Sequence, residues 1–273
     1  MYRKIWKECH SSVCSIHFLS KAGTRIITFT GFRIRDYLIT DDIIDRFTRP
    51  DKVFIRFTKE DGYTEKASKT MTYDAFRGRI FHPGGKVGPG YVIIKLEDKE
   101  FRTIPSLKCS RKVGYEIGHP IAVLGYQLNQ DNLAMKSGII SSFFTNQDGI
   151  NYYQIDSSIR QGNAGSPVIE TENMEVIGVL GHHLASIVRS YLRMMKIFKK
   201  NLDILKEIEG KYSFDEIDPV QVLIANQNQI KHLATEFFKS ANMRVGLAVE
   251  ICNLIDYCPD LDSAIDYEVK QEG

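Results

Sequence analysis

The chain has 273 residues, with 36 Lys and Arg against 34 Asp and Glu. So even a balance gives no bulk attraction to nucleic acid or to an acidic membrane, and argues against both as partners. A chain of this length, 43% hydrophobic and 11% aromatic, can bury one large core or two small ones, and no Pro- or Ser-rich tract suggests disorder.

The first residues, MYRKIWKECHSS, are basic but lead into no apolar run, so they do not read as a secretory leader. Cys9, His10 and Cys14 hint at zinc, but they lack a fourth ligand and the usual short spacing, so neither a metal site nor a cofactor is expected. The five cysteines, Cys9, Cys14, Cys109, Cys252 and Cys258, are odd in number and scattered, and read as reduced thiols of a cytoplasmic chain. The longest apolar runs, YVIIKL and IAVLGY, are strand-sized and fall far short of the roughly 18 residues of a membrane span.

From residue 12 to about 183 short β-branched and aromatic runs alternate with turn residues: SVCSIHFL, TRIITFTGFRI, YLIT, KVFIRFT, YVIIKL, IAVLGY, GIISSFF, YYQI, SPVIE and EVIGVLGHH. Between them lie KAG, RPD, KEDG, HPGGKVGPG, NQDN and TNQDG. Many short strands at such spacing predict an antiparallel β protein and not βαβ units.

The texture then changes. Tyr191, Met195, Phe198, Leu202 and Leu205 recur at steps of four and three, which predicts a helix over 185–209 ended by Gly210. Asp218 followed by Pro219 predicts the N-cap and first turn of a second helix, with Leu223, Ile230, Leu233 or Ala234, and Phe237 turned inward. A short connection predicts an antiparallel pair. MRVGLAVEI returns to strand character, and NLIDYC suggests a short final helix. The helices thus interrupt a β domain. The basic residues Arg189, Arg193, Lys196, Lys199 and Lys200 read as a solvated face.

One stretch carries a family signature. QIDSSIRQGNAGSPVI, residues 154–169, followed by EVIGVLG, resembles the nucleophile loop and cleft strand of trypsin-like serine proteases of the HtrA branch. TGFRIRDYLIT, MKSGIIS and VGLAVEI resemble further strands of that family, in its order. The resemblance covers roughly residues 12–183 and 244–258. It implies a mainly β chain with an α insertion: two antiparallel six-stranded β-barrels with a helical hairpin inserted before the last strand. The domains expected are an N-terminal barrel over 1–95, a C-terminal barrel over 96–184 and 243–258, the hairpin over 185–242, and an acidic tail over 259–273.

Such enzymes need a serine, a histidine to take its proton and a carboxylate to orient that histidine. The resemblance puts these positions at Ala164, Ile43 and Gly90, and none of the three can perform the role. The expectation is therefore a pseudoprotease, not an enzyme, acting as a protein- or peptide-binding or regulatory component. The alternatives are a peptidase using unconventional residues, such as Ser166 with His182 or His183, and a scaffold whose function lies in the helical insertion.

By the same resemblance, Gly162, Asn163 and Ala164 would form a vestigial oxyanion hole, its backbone N–H groups able to hold a peptide carbonyl or carboxylate. Ser158, Gly181, His182 and His183 would line a peptide cleft in which a partner adds as a strand. Whether that cleft still binds or survives only as a fold element is left open. The hairpin leaves Met194, Ile197, Ile204 and Ile208 on one helix, and Val222, Ile224 and Phe238 on the other, off the helix–helix seam. Those residues pack on the barrel or meet a partner, a second copy included.

Overall fold

The computed structural model describes residues 1–45, 50–83, 90–127, 130–181, 185–211, 218–240, 243–252 and 254. The chain divides into two compact units, 1–182 with 243–273, and 183–242. The expected tail over 259–273 and most of NLIDYC lie outside the described residues.

The larger unit opens with helix α1 (Tyr2–Cys9), which the sequence pattern did not suggest. Ile5 and Cys9, one turn apart, go into the core, and the Trp6 indole N–H donates to the Glu60 carbonyl at 2.9 Å. There follow β1 (Val13–Leu19), β2 (Arg25–Ile34), β3 (Tyr37–Asp41), β4 (Lys52–Thr58), β5 (Glu65–Thr72), helix α2 (Tyr73–Arg77), β6 (Ile80–Phe81) and β7 (Tyr91–Lys95). These strands form one seven-stranded antiparallel sheet, ordered β5-β4-β1-β2-β3-β7-β6. The six-stranded closed barrel expected here is thus replaced by an open sheet. Its two edges explain this: β5 is mostly polar and exposed, and β6 has only two residues to offer a partner. The central β1 is buried along nearly its whole length, which is why VCSIHFL reads as a continuous apolar run and not as an alternation.

The remaining strands are β8 (Pro120–Tyr126), β9 (Leu133–Thr145), β10 (Asn151–Ile159), β11 (Pro167–Glu170), β12 (Val176–Leu180) and, after the helices, β13 (Met243–Glu250). They close into a six-stranded barrel, ordered β10-β13-β12-β11-β8-β9. Three apolar layers result. Phe18, Phe29, Phe57, Phe76 and Phe101 fill the far side of the sheet, with Phe18 edge-on to Phe29 at 5.5 Å and Phe57 edge-on to Phe101 at 5.4 Å. Ile121, Val123, Ile140, Ile155, Val168 and Ala248 fill the barrel. Between them Phe32, Ile39, Tyr91 and Ile93 of the sheet meet Leu124, Tyr126, Val179 and Val249 of the barrel. This shared layer fixes the two β structures against each other, and the functional loops gather at its margin.

The Cys9–His10–Cys14 hint dissolves into these cores. Burial pushes the Cys9 thiol up to about 12 and raises Cys14 still further, so neither offers a thiolate. Among the described residues no group of three or more His, Cys, Asp or Glu gathers as a metal site, and Cys9, Cys14, Cys109 and Cys252 are free thiols. No described helix is long and apolar enough to cross a membrane.

The smaller unit is an antiparallel pair, α3 (Ala185–Ile208) and α4 (Pro219–Ser240). Gly210, at φ +77°, ends α3, and its N–H donates to Asp218 Oδ2. The other carboxylate oxygen of Asp218 caps α4 by accepting the Val220 N–H at 2.8 Å. The α3 seam is as its spacing implies: Phe198 and Leu202 are buried, and Tyr191, Met195 and Leu205 half-buried. The α4 seam is not. Val220 is buried and Ile224 half-buried, whereas Leu223, Ile230, Leu233 and Phe237 are each at least half exposed. Apolar residues occupy two faces of α4, and the period alone could not say which one meets α3.

Candidate functional site

Residues 160–166 link β10 to β11 and lie against the middle of β2 and the end of β3. Thr30 is the pin. Its hydroxyl donates to the Gly162 carbonyl at 2.8 Å and accepts the Tyr126 N–H, while its backbone N–H donates to the Ala164 carbonyl at 2.9 Å. Thr40 supports it from β3, donating its hydroxyl to the Thr30 carbonyl at 2.7 Å. Two glycines make the approach possible. Gly162 has φ +98° and Gly165 φ +85°, and a Cβ on Gly165 would stand 2.1 Å from the Thr30 carbonyl oxygen.

Inside the loop, Asn163 is fully buried and acts as an internal brace. Its Oδ1 accepts the Arg160 N–H at 2.9 Å and the Lys136 ammonium, and its Nδ2 donates to the Tyr126 carbonyl at 2.8 Å. With the loop held this way, the Gly162 and Ala164 N–H groups donate to no acceptor among the described residues. Beside them stands a cation: burial, with the nearby Arg160 charge, holds the Lys136 ammonium down at about 8.

The other predicted positions converge on the turn after β3. The Asp42 N–H donates to the Gly90 carbonyl at 3.2 Å, and the Ile43 N–H donates to Asp41 Oδ1 at 2.7 Å. Ile43 and Ala164 are both half-buried and pack against the same aromatic core of the sheet. Gly90 has φ +94°, and a Cβ there would meet Val249 Cγ2 at 3.0 Å. Ile43 and Ala164 thus share the sheet's own apolar cluster, Gly90 adjoins Val249 of the shared layer, and the 160–166 loop reaches the end of β3 through Gly165, whose Cβ would lie 3.0 Å from the Asp41 nitrogen.

Asp41 is the residue that sequence reasoning passed over. Its carboxylate is buried, and a Cβ on Gly181 would lie 3.9 Å from Oδ2. Gly181 in turn donates its N–H to the Leu247 carbonyl at 2.8 Å. An acidic side chain therefore sits between the loop and the end of β12. The signal available was the doubled Asp41-Asp42, where an apolar strand ends in two carboxylates.

Two expectations change on contact with the structure. Ser158, placed by the resemblance at a pocket floor, is exposed: Tyr153, Ile155, Ser157 and Ile159 are the buried positions of β10, and strand alternation turns Ser158 to the opposite face. Ser166 is fully buried: a Cβ on Gly125 would overlap its Oγ at 2.1 Å, so its hydroxyl is packed against β8. His182 and His183 lie outside the described residues.

A closed antiparallel barrel, a second antiparallel sheet and a glycine-bounded loop between them define a protein of the trypsin-like class. Residues 44–179 match the family model of the trypsin-like peptidase domain, and the chain belongs to that family. Among solved structures it is similar to the serine endoprotease from Yersinia pestis, with 17% identity and a TM-score of 0.49 over 66% of this chain and 57% of that one. It is also similar to a protease from M. tuberculosis in its active form, with 18% identity and a TM-score of 0.47 over 65% of this chain and 72% of that one. The chain thus spans little more than half the length of the Yersinia protein. No curated protein matches the sequence. The expectation that the chain is not an enzyme is overturned by the family match: the domain it matches is a peptidase domain, and this replaces the reading taken from Ile43, Gly90 and Ala164.

Proposed function

We propose that the chain binds an extended peptide segment of a protein partner, with a carbonyl or terminal carboxylate of that segment on the Gly162 and Ala164 N–H groups. The observation that carries this is the pair of backbone donors left without an acceptor among the described residues, beside the Lys136 ammonium. Backbone donors shielded from water are rarely left unused, and a peptide oxygen is a natural acceptor for loop N–H groups. Fluorescence polarisation with peptides ending in a free carboxylate, against the same peptides amidated, tests the reading. The free carboxylate should bind about tenfold tighter, the margin of one charge-assisted hydrogen bond. Lys136→Met should weaken binding of the free carboxylate about tenfold. Equal affinity for both peptide ends, or for the variant, would sink the reading. Mass spectrometry of the same mixtures reports whether bound peptide is cleaved.

A second reading concerns the hairpin by itself, as a surface for a second copy of the chain. Met194, Ile197 and Ile204 of α3, and Val222, Leu223, Ile230, Leu233 and Phe237 of α4, are exposed. On each helix they lie roughly 100° around the axis from the seam, in the same rotational sense. A two-fold axis normal to an antiparallel pair carries one helix onto the other and keeps that sense, so both stripes fall on one side of the hairpin. Eight such side chains, about half exposed, present on the order of 700 Å² of apolar surface, close to the ~800 Å² each partner contributes to a standard interface. Sedimentation equilibrium should show self-association that Leu233→Asp with Phe237→Asp removes without lowering the melting temperature. A monomer at all concentrations would refute it.

A further inference from the structure

At the end of the barrel away from the 160–166 loop, a cavity of about 400 Å³ is lined by Tyr115, Phe143, Tyr153, Asn151 and Glu250, with Val113 at its rim. The strands explain its position. Asn151–Tyr153 begin β10, Arg160 follows its other end, and Glu250 is the last residue of the neighbouring β13. The open end of a small barrel is where a ligand cavity is most easily formed.

Its walls have an uncommon composition. Tyr153 meets Tyr115 at 6.2 Å and 87°, and Phe143 at 5.7 Å and 78°, so three rings stand edge to face around the opening. At the base, Glu250 is 7% exposed and accepts the Tyr153 hydroxyl at 2.6 Å and the Asn151 amide at 3.0 Å. Both donors are neutral, and among the described residues no Lys, Arg or His forms an ion pair with it. A buried carboxylate held only by neutral donors is costly unless a positive charge arrives. Ring faces and a carboxylate both attract cations, and rings favour soft, weakly hydrated ones. The protein already shows the affinity: the Lys112 ammonium lies 5.1 Å from the Tyr115 ring centroid.

We propose that this barrel-end cavity binds an organic ammonium group, the rings surrounding its alkyl substituents and Glu250 balancing its charge. The group belongs to a small quaternary amine or to a methylated lysine side chain of a protein, which share this chemistry. The site is separate from the 160–166 loop, and binding there does not depend on the peptide reading.

Isothermal titration calorimetry on the full chain tests it with choline and with 3,3-dimethylbutan-1-ol, a neutral molecule of the same shape. Choline should bind at least about tenfold tighter than its isostere, since only the cation engages the rings and carboxylate. A peptide bearing trimethyl-lysine provides the second arm: tighter binding than choline assigns the site to a protein side chain, weaker binding to a small amine. Glu250→Gln should cost about tenfold or more. Phe143→Leu, at a ring 39% exposed and so tolerant of change, should cost several-fold and keeps the test valid if the first variant fails to fold. Lys112→Ala should not weaken choline binding. Equal binding of choline and its isostere, no saturable binding of either ammonium, or full affinity in both the Glu250 and Phe143 variants would overturn the proposal.

Discussion

The backbone N–H of Thr30 donates to the carbonyl of Ala164 at 2.9 Å, joining the middle of a sheet strand to the tip of a barrel loop 134 positions further along the chain. The Thr30 hydroxyl doubles the link through Gly162. The loop's shape is therefore set from outside by a strand residue, and changes at Thr30 should be felt there.

Thr30→Val keeps the β-branched shape and removes the hydroxyl. The Tyr126 N–H and the Gly162 carbonyl then lose a buried partner. At about 1–3 kcal/mol per stranded group, the loss of stability should be roughly 2–4 kcal/mol. Urea denaturation measures it, and a loss below about 0.5 kcal/mol would show that the hydroxyl is not the pin.

Gly165→Ala and Gly149→Ala separate conformational strain from steric overlap. Both glycines have φ near +80°, but a Cβ on Gly149 meets nothing within 4 Å, whereas one on Gly165 overlaps Thr30 and Thr40. Gly149→Ala should cost about 1–2 kcal/mol, the left-handed penalty alone. Gly165→Ala should cost well beyond that or prevent folding. Equal melting temperatures for the two variants would contradict the packing described.

Peptide binding should depend on alkaline pH through Lys136. Burial holds its ammonium at about 8, so it is charged below that pH and neutral above. Affinity for a carboxylate-ended peptide should therefore fall as pH rises through 8, while Lys136→Met should bind weakly with no such step. A flat profile between pH 7 and 9 in the unaltered protein would remove Lys136 from the site.

Acid stability should depend on His17. Its imidazole is buried, stacks on Phe54 at 5.9 Å and bonds Thr28 Oγ1 at 2.9 Å, and desolvation, helped by Arg25, lowers its pKa to about 4. Between about 6.5 and 4 the unfolded chain takes up a proton that the folded chain refuses. Stability is thus full above pH 6.5 and drains as pH falls toward 4. The full span is on the order of 3 kcal/mol. His17→Phe should flatten that part of the pH profile; an unchanged slope would assign it to other groups.

Most strands could be read directly, because runs such as KVFIRFT and IAVLGY combine β-branched residues with turn residues at both ends. β5, EKASKTMT, could not: an edge strand with both faces largely wet carries no alternation to detect. α1 escaped because eight residues hold only two buried positions. The loop over 160–166 was legible through its glycines, whose positive φ values the backbone requires. Asp41 was not, since its place beside Gly181 arises from β3 and β12 meeting across the shared layer. Nor was the barrel-end cavity, whose walls come from four separate stretches of chain. Spacing along the sequence says nothing of such meetings.

The helical insertion has a consequence for the order of assembly. β13 is the strand that completes the ring between β10 and β12, and residues 181–242 separate it from β12. During synthesis the seven-stranded sheet can form while the barrel still lacks a stave, its interior facing water until the whole insertion has left the ribosome. Joining ends across a longer connection adds only about 0.6 kcal/mol per doubling of length, so the delay is one of timing more than of stability. An insertion that folds early into a compact hairpin would shorten the effective gap and bring the last strand home sooner. Helix-breaking changes in α3 should therefore slow completion of the barrel.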